Sequence, residues 1–560
     1  MENNYSDKWK KRGNRQALLR NALLKSMGYT DKDIEKPIVG IINTWAETNP
    51  GHVHFRQLSE AVKRGVWAAG GFPLEVNTMS ICEVFFDVSS MIYRNLLSMT
   101  TEELIARHPF DGVVLIGGCD KNVPAQIMAA ASANKPTIYL PGGAMLPGYY
   151  KGQPLACGTD SFVLWSKYTS GEMSLEEVTA HEGCLYGSPG ACPIMGTANT
   201  SQVITEALGL ALPGSSSCLA VSAEKLRISE ETGRQIVELI KKDIKCLDII
   251  TKESIRNAIV VLMAAGGSTN LIIHLTAIAR RAGIKLDLME FDRISNETPV
   301  LLNVKPHGEH TVGVGFHNAG GVMALMKELE PLLNAECLTV TGKTVGENLK
   351  NADYPYDRNV IRPLDNPLMD KGGIAVLKGN LAPLGAVIKR SAASKNLLNH
   401  RGEARVFESL EEAEKYLLDE NSDMDENKII VLRGFGPKGA PGMPEFGNYL
   451  PIPPKLYRRG IKDYVRITDA RMSGGAFGTV VLHVAPEAAA GGPLAVVQNG
   501  DIIHLDVDNN LLQLEVPDEE INRRLKNIKL KEHPDITRGF IRNFIDNVLQ
   551  ANEGCDMKFL

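Results

Sequence analysis

Two short segments of the chain place a thiol directly before a carboxylate. Cys119 is followed by Asp120 and Lys121, and Cys82 is followed by Glu83. A thiolate is a good ligand for a soft metal such as the iron of a cluster, whereas a carboxylate is a good ligand for a hard cation such as Mg²⁺. Because the side chains of adjacent residues diverge, each segment could serve two different metals.

Cys192 adds a third thiol, in the Gly/Pro-rich segment 190–193. Three thiols would leave one iron of a cluster without a protein ligand, and such an iron is a Lewis acid able to bind a leaving hydroxyl. The alternative for each cysteine is a small buried hydrophobe. The chain has 9 cysteines, an odd number without the framework of a small disulfide-rich domain, so disulfide bonds are not expected.

Two loops in the second half of the chain carry further polar groups. Segment 436–445 is rich in glycine and proline and ends in a carboxylate, Glu445. Segment 468–475 places Ser473 in a glycine turn, where backbone amides can approach an anion. Each loop taken alone is also consistent with an ordinary tight turn.

Several familiar motifs are incomplete. Segment 342–344 (Gly-Lys-Thr) is similar to the end of a phosphate-binding loop, but Cys337 stands where that motif requires glycine. The chain has no Gly-x-Ser-x-Gly elbow and no Cys-x-x-Cys pair, which argues against an α/β-hydrolase, a zinc ribbon and a thioredoxin-like redox site. His52 and His54 alone are a weak zinc signal, and a structural role or a substrate contact is favoured.

Short β-branched runs alternate with longer amphipathic stretches in the first two-thirds of the chain. The predicted strands and helices are strands 37–43, 111–116 and 136–140, and helices 55–70 and 124–131. This alternation is typical of βαβ units with a parallel sheet, in which ligands lie beyond the carboxyl ends of the strands. Cys119 follows such an end, so the sheet is expected to position this thiol and its neighbours.

The predicted fold class is α/β, with two domains of different character. Residues 1–350 are expected to form an α/β domain with a parallel sheet and flanking helices, and the segment 351–371 is expected to be a linker. Residues 372–560 are predicted to form a smaller, β-rich, barrel-like domain. Its acidic segment 408–426 is predicted to be a solvated helix and loop. Its predicted strands are 373–377, 428–432, 464–468, 479–484 and 502–507.

Composition restricts the class of protein and its partners. The chain has 560 residues, of which 44% are hydrophobic and 23% charged, and its net charge is −5. It is therefore expected to be globular and to lack a basic field for nucleic acid or an acidic membrane, so an anionic substrate would have to be held locally, by a metal or a few basic groups. Residues 1–15 lack the apolar run of a signal peptide, and a cytoplasmic location is expected.

Two of these segments together resemble a known family. Cys119-Asp-Lys-x-x-Pro124 and Thr468-Asp-Ala-Arg-x-Ser473-Gly-Gly are similar to the two signatures of the dihydroxy-acid dehydratase and phosphogluconate dehydratase family. The likeness covers nearly the whole chain. It implies a hydro-lyase that converts a 2,3-dihydroxy acid to a 2-keto-3-deoxy acid, with an iron–sulfur cluster as Lewis acid and Mg²⁺ bound to the substrate carboxylate.

The resemblance also implies a role for each matching residue. Cys119 and Cys192 match cluster ligands, and Ser473 matches the serine that acts as the base. The residues that match magnesium ligands are Glu83, Asp120, Glu445 and, as a carbamate, Lys121. The residues expected to contact the substrate are His54, Thr197 and Arg471. The family also implies a homodimer or homotetramer.

Gly51 departs from part of the family. Members with a 2Fe–2S cluster resemble a pattern with cysteine at this position, whereas other members, some with a 4Fe–4S cluster, have glycine. Some of those carry a cysteine just before the magnesium-binding carboxylate, as Cys82 stands here. Cys82 is therefore the predicted third ligand, and both cluster types stay open. The alternatives from other classes are a cluster-less binding relative and a hydrolase with Ser473 as nucleophile.

The segments around the signatures divide between two branches of the family. Those similar to sugar-acid dehydratases, which act on arabinonate, xylonate and related aldonates, are 43–45, 54–56, 124–126 and 476–479. Those similar to the dihydroxy-acid dehydratases of branched-chain amino-acid biosynthesis are 51–52 and 436–439. The sugar-acid branch is the predicted one, and the dihydroxy-acid branch is the alternative.

Overall fold

Parallel strands form the central sheet of the first half of the chain. The computed structural model describes residues 5–445 and 450–560, so the first four residues of the polar segment 1–15 lie outside it. The strands are β1 (Ile38–Asn43), β2 (Phe72–Asn77), β3 (Gly112–Gly117) and β4 (Thr137–Pro141), in the order β2-β1-β3-β4. All residues of β1, β3 and β4 are buried, as is typical of a parallel sheet covered on both faces. The predicted parallel sheet is confirmed.

Helices pack against this sheet and around it. They are α1 (Asp7–Lys10), α2 (Arg15–Ser26), α3 (Asp31–Ile34), α4 (Phe55–Ala68), α5 (Met91–Arg107), α6 (Asn122–Ala133), α7 (Cys157–Thr169), α8 (Leu175–Thr179), α9 (Thr197–Ala207), α10 (Ala223–Lys241), α11 (Cys246–Ile249), α12 (Lys252–Ala264), α13 (Asn270–Arg281), α14 (Leu288–Glu297), α15 (Gly321–Glu328) and α16 (Val345–Lys350). A hairpin of β5 (Gly148–Tyr150) and β6 (Gln153–Leu155) precedes α7. In the part of the chain that is described, no helix is both long and apolar enough to cross a bilayer.

The two helices predicted beside the sheet are confirmed, with shifted ends. Helix α6 begins two residues before Pro124, which sits in its first turn, where a missing N–H costs no hydrogen bond. Helix α4 crosses α10 at very close range, because Gly65 lies against the backbone of Glu230; a Cβ atom at Gly65 would lie 1.8 Å from that residue's carbonyl oxygen. Strand β2 was not predicted, since Pro73 and its polar neighbours interrupt the apolar pattern of this edge strand.

A closed barrel forms the second half of the chain and confirms the barrel-like prediction. Its strands are β7 (Ala375–Gly379), β8 (Ala382–Ile388), β9 (Asn399–Phe407), β10 (Ile429–Leu432), β11 (Arg466–Thr468), β12 (Val480–Ala485), β13 (Ile502–Asp506) and β14 (Leu511–Leu514). Their order is β10-β11-β12-β8-β7-β14-β13-β9, with parallel and antiparallel pairs mixed. Strands β8, β9 and β14 were missed. Strand β9 is mostly polar and only partly buried, so its sequence lacks a clear apolar alternation.

The remaining helices lie on the barrel or return to the first half of the chain. They are α17 (Leu410–Leu418), α18 (Pro454–Arg458), α19 (Asp518–Leu525) and α20 (Gly539–Asn547). Helix α17 lies in the acidic segment 408–426, as predicted, but it is not fully solvated: Ala413 and Leu417 are completely buried in an apolar cluster with β10 residues. Its acidic residues cover only the outer face of an amphipathic helix.

The segment between the two halves has neither helix nor strand from residue 351 to 374. It lies along the first half of the chain, since Ile361 forms a β-bridge with Leu302 and Met369 forms one with Val300. The domain boundaries at 350 and 372 stay a prediction, because this segment is packed against one of the two parts that it connects.

The last residues of the chain pack on helices of the first half. Phe544 of α20 and residues 548–557 share an apolar cluster with α5, α13 and Met443. Arg281, at the end of α13, binds Asp556 with two hydrogen bonds of 2.6 and 3.1 Å, and both side chains are almost fully buried. This pair fixes the C-terminal segment against the helices behind the sheet.

We expect Arg281→Met to destabilise the protein, because it leaves the Asp556 carboxylate buried without a cation. Removing one partner of a buried ion pair costs about 3–5 kcal/mol, which should lower the melting temperature by several degrees. Arg542→Met is the matched control, since it removes an exposed pair with Asp546 and should cost less than about 1 kcal/mol. Equal losses in the two variants would contradict a buried, energetically coupled pair.

Candidate active site

The loops that follow β1, β2 and β3 meet at the carboxyl edge of the sheet. His52, in the loop after β1, accepts hydrogen bonds at Nε2 from the backbone N–H groups of Gly118 (3.2 Å) and Cys119 (2.8 Å). Its Nδ1 lies 2.8 Å from the carbonyl oxygen of Thr44. Burial lowers the pKa of His52 to about 3, so the ring stays neutral and Nε2 remains an acceptor. His52 therefore has the structural role that the sequence favoured, and it positions Cys119.

Two asparagines hold the loop after β2 against the same edge. Asn122 Nδ2 donates to the carbonyl of Ile81 (2.7 Å), and the N–H of Ile81 donates back to Asn122 Oδ1 (3.0 Å). Asn49 Nδ2 donates to the same carbonyl and to Ser80 Oγ, both at 3.1 Å. Because these contacts end directly before Cys82, the backbone that carries this thiol is held from two sides.

The side chains of Cys82 and Cys119 lie close enough for each to shift the pKa of the other. The Cys119 thiol stabilises the Cys82 thiolate and holds the pKa of Cys82 below its usual value. The same contact, together with burial, raises the pKa of Cys119 well above its usual value. Two cysteines from loops after different strands thus face each other, which is an arrangement that a shared metal cluster requires.

Cys192 lies in the loop before α9, which approaches the same region. The carbonyl oxygen of Gly190 would lie 3.2 Å from a Cβ atom at Gly51, so this loop touches the one after β1. Asn199, in the first turn of α9, donates to the carbonyls of Cys192 (2.5 Å) and Ile194 (2.9 Å). The half-buried Cys192 is thereby held beside position 51, and its role as a cluster ligand stays a prediction.

Three carboxylates come together next to the thiol pair. Oxygen atoms of Glu83, Asp120 and Glu445 all lie within 4.8 Å of one another. Glu83 begins a short 3-10 helix after β2, Asp120 precedes the N-cap of α6, and Glu445 lies in the loop after β10. Cys119 Sγ lies 3.8 Å from Asp120 Oδ1, which joins the thiols to the carboxylates. All three acids were predicted magnesium ligands, and the structure brings them to one place.

Two buried cations lie among these carboxylates. Lys121 Nζ is 3.0 Å from Glu83 Oε2 and also donates to Asp120. Arg471 donates to Glu83 Oε1 at 2.7 Å and to Glu445. Burial disfavours the charged form of Glu83, but Arg471 and Lys121 outweigh it and hold the pKa of this carboxyl far below its usual range. Burial also works against the charges of Arg471 and Lys121, yet the carboxylates raise the pKa of both.

The buried charges of this carboxylate group do not balance. Three carboxylates face two cations, which leaves one negative charge in excess. Burial accordingly raises the pKa of Glu445 in spite of the contact with Arg471. A divalent cation would remove the excess, and a set of carboxylate oxygens at this spacing suits Mg²⁺. The residues therefore fit the predicted metal, and carbamylation of Lys121 would add a further oxygen ligand.

Ser473 lies in the loop between β11 and β12, and two helices of the first half hold that loop. Thr197 Oγ1, at the start of α9, accepts from the N–H of Gly474 (3.3 Å). Asn270 Nδ2, at the start of α13, donates to Thr197 Oγ1 (2.9 Å) and lies 3.5 Å from Glu445 Oε1. A Cβ atom at position 474 would lie 2.7 Å from the backbone nitrogen of Thr197, so only glycine allows this approach. The loop of Ser473 thus adjoins the carboxylates.

The three predicted substrate contacts have different surroundings. Arg471 lies among the carboxylates, and Thr197 contacts the Ser473 loop. His54 is buried, and its Nε2 lies 2.9 Å from the carbonyl of Gly142, directly after β4. Within residues 5–445 and 450–560, no hydrogen bond or ion pair joins His54 to the carboxylates. Burial lowers the pKa of His54 to about 4. All three substrate contacts stay predictions.

The sequence did not single out the residues that hold the predicted ones in place. Ser90, the N-cap residue of α5, donates its hydroxyl to Glu83. Asn122 and Asn270 are the first residues of α6 and α13, two helices whose other members are largely apolar and buried. A polar residue at the start of an apolar helix could have indicated these supports. Its side chain can form a hydrogen bond with a neighbouring loop instead of with the helix itself.

Both halves of the chain match family models. Residues 36–348 match the model described as dihydroxy-acid/6-phosphogluconate dehydratase N-terminal, and residues 359–555 match its C-terminal counterpart. The chain belongs to the dihydroxy-acid/6-phosphogluconate dehydratase family. The resemblance carried by the two sequence signatures is therefore confirmed, and the protein is an enzyme of the hydro-lyase class.

Relatives from both branches of this family align with nearly the whole dehydratase chain. An L-arabinonate dehydratase of Rhizobium leguminosarum bv. trifolii (strain WSM2304) is 44% identical, over 99% of this chain and 96% of its own length. A 6-deoxy-6-sulfo-D-gluconate dehydratase of Pseudomonas putida is 45% identical, over 94% and 90%. A dihydroxy-acid dehydratase of Caldicellulosiruptor saccharolyticus (strain ATCC 43494 / DSM 8903 / Tp8T 6331) is 43% identical, over 95% and 96%.

We expect Mg²⁺ to stabilise this dehydratase after treatment with a chelator, because the cation would neutralise the excess charge of the carboxylate group. Mg²⁺ at about 100 times its dissociation constant should add about 2.7 kcal/mol of stability, measured as a rise in melting temperature. Glu445→Gln removes one carboxylate and should lose most of this rise. Glu426→Gln, an exposed glutamate paired with Arg459, is the control that should keep it. An equal rise in all three proteins would place the bound cation elsewhere.

Proposed function

We propose that this dehydratase removes water from a 2,3-dihydroxy sugar acid, an aldonate such as arabinonate or xylonate, and gives a 2-keto-3-deoxy acid. The observation that carries the proposal is the pair of facing thiols, Cys82 and Cys119, beside three clustered carboxylates. Relatives named L-arabinonate and 6-deoxy-6-sulfo-D-gluconate dehydratases support the sugar-acid branch. The substrate is then an anion held at the carboxyl edge of the sheet.

The donor set supports two different cofactors side by side. The ligands proposed for an iron–sulfur cluster, either 2Fe–2S or 4Fe–4S, are Cys82, Cys119 and Cys192. The ligands proposed for Mg²⁺ are Glu83, Asp120, Glu445 and the carbamate of Lys121. When bound, the two metals would supply Lewis acidity toward the substrate's carboxylate and C2 hydroxyl on the magnesium side and toward its C3 hydroxyl on the iron side.

Ser473 is the proposed base that takes the proton from C2. Its Oγ accepts a hydrogen bond from the N–H of Gly475 at 3.3 Å, so a backbone dipole already points at the atom that must bear negative charge. Loss of a proton from C2 and of hydroxide from C3 leaves an enol, which tautomerises to the 2-keto acid. No net oxidation or reduction occurs, so the protein must handle only protons and charge.

A dihydroxy-acid dehydratase of branched-chain amino-acid biosynthesis is the second candidate. It is favoured by the dihydroxy-acid dehydratase relative at 43% identity, which aligns as completely as the sugar-acid enzymes do. The two candidates share the bond-breaking chemistry and differ in the substrate beyond C3, which is a branched apolar group in one and a chain of hydroxyls in the other.

We further infer that the enzyme is a homodimer or homotetramer, which light scattering of the holoenzyme tests.

We expect the anaerobically purified wild type to release keto acid from a pentonate or hexonate, and Ser473→Ala to lose turnover while keeping its iron and Mg²⁺. The assay is keto-acid formation over a panel of pentonates, hexonates and dihydroxyisovalerate. Removing a general base typically costs about 10²–10⁴-fold in rate. Turnover of dihydroxyisovalerate alone would favour the second candidate, and near-normal rates of the serine variant would remove Ser473 from the mechanism.

We expect Cys82→Ala to lower the iron content of the purified protein, because it removes the predicted third cluster ligand. Iron and sulfide assays with the visible absorbance spectrum measure the change, and Cys119→Ser should lose the cluster as well. Cys246→Ala is the matched control, since Cys246 is also buried but lies at the start of α11. Unchanged iron in Cys82→Ala would show that the third ligand is another residue.

A further inference from the structure

Lys389 is a buried lysine without a carboxylate partner. It directly follows β8, and its side chain is almost fully buried, with 1% of its surface exposed. In residues 5–445 and 450–560, no acidic group lies within ion-pairing distance of it. Burial lowers the pKa of Lys389 to about 7. Keeping a charged ammonium group in such surroundings costs folding free energy. A buried lysine with a strongly shifted pKa is therefore a candidate for a functional role.

The one described hydrogen bond of the Lys389 ammonium leads to the Ser473 loop. Nζ donates to the carbonyl oxygen of Gly474 at 3.0 Å. That carbonyl belongs to the same peptide group as the N–H of Gly475, which donates to Ser473 Oγ at 3.3 Å. The ammonium, the peptide dipole and the serine oxygen therefore form one chain, and polarisation of the carbonyl strengthens the N–H as a donor.

The Ser473 loop does not depend on this lysine for its position. The N–H of Gly478 donates to the carbonyl of Ala392 at 2.8 Å, which ties the far end of the loop to the segment after β8. The near end is held by Thr197 and Asn270. Neutral hydrogen bonds thus fix the backbone of the loop at both ends. The charge of Lys389 therefore changes the electrostatic potential at the loop more than it changes the position of the loop.

We propose that Lys389 is a positioning residue that stabilises the anionic form of Ser473 through the peptide group between Gly474 and Gly475. The inference rests on the proposed function, in which Ser473 Oγ takes the C2 proton. A serine hydroxyl is a weak base unless a nearby positive charge favours its alkoxide. The lysine supplies that charge from behind the loop and leaves the front of Ser473 open to the substrate.

The other ionisable groups near Lys389 and the Ser473 loop are neutral or bind other partners. His307 is the titratable group that feels the charge of Lys389; burial, and then that charge, lower its pKa to about 4, so it is neutral. Arg390, the next residue, turns to Ser295 and donates to its hydroxyl at 2.9 Å. On the front of the loop, Arg471 is occupied by Glu83 and Glu445. Lys389 is thus the cation that reaches the Gly474 carbonyl.

The test uses Lys389→Met in the holoenzyme, because methionine keeps much of the volume and removes the charge. We expect kcat to fall about 10- to 100-fold, somewhat less than the loss of a direct oxyanion donor, with KM, iron and Mg²⁺ unchanged. The primary isotope effect with C2-deuterated substrate, the aldonate turned over fastest in the panel above, should rise. In the wild type, kcat should fall as the pH rises through the lowered pKa of Lys389, because the neutral amine no longer favours the alkoxide, and Lys389→Met should lack this fall.

Two further variants distinguish an electrostatic role of Lys389 from a structural one. Lys389→Gln keeps a donor without the charge and should remain as slow as Lys389→Met. Lys10→Met is the matched control: Lys10 is also buried and donates to a backbone carbonyl, that of Lys36 at 2.8 Å, far from the site, and its loss should leave kcat unchanged. The melting temperature of Lys389→Met should not fall, because an unpaired buried charge is replaced by an apolar group.

Three results would overturn the proposal. They are a wild-type rate and isotope effect in Lys389→Met, a rate restored by Lys389→Gln, and a failure of both variants to fold, which would make the lysine a structural residue. Ser473→Ala distinguishes this failure from that of the proposed function. If Ser473→Ala stays active, the base is wrong; if it is inactive while Lys389→Met is normal, only the role of Lys389 is wrong. In the Ser473→Ala background, Lys389→Met should add no further loss.

Discussion

One buried guanidinium joins the two parts of the chain. Arg471 is carried by a barrel loop, and it binds Glu83, which follows the sheet, and Glu445, which lies in another barrel loop. Neither part alone brings these acids together, so the site exists only where the barrel is docked at the carboxyl edge of the sheet. Because a buried carboxylate without a cation is strongly unfavourable, docking of the two parts and electrostatic balance of the site are a single requirement.

Neutral hydrogen bonds then place the two thiols and the Ser473 loop around this buried ion-pair group. His52 holds the backbone of Cys119, Asn122 holds the residue before Cys82, and Asn270 links the Ser473 loop to Glu445. None of these supports carries a net charge at neutral pH, so the charges of the site are left to the carboxylates, the two cations and any bound metal. This division lets thiols and carboxylates lie one residue apart without disturbing each other's supports.

Much of the fold could be predicted from the sequence, and less of the site's geometry. Buried parallel strands such as β3 are continuous apolar runs, so they were predicted nearly to the residue, whereas the polar strand β9 was not. Glu83, Asp120 and Glu445 could be named because their neighbours form recognisable signatures. The partners of His52 could not be named, and Lys389 was not singled out at all, because each acts through backbone groups that come close only in the folded chain, and a sequence pattern does not record that approach.

Because residues 548–557 pack on α5, the order in which the chain is synthesised affects when this part of the structure can form. The two serines directly before α5 bind Glu83 and the loop of Glu445, since Ser90 donates to Glu83 and Ser89 donates to Gly442. Chains emerge from the ribosome N-terminus first, so the apolar surface around Met91 and Ile92 lacks this cover until residues 548–557 have been synthesised. A chain truncated before residue 548 would leave that surface open to chaperones and proteases.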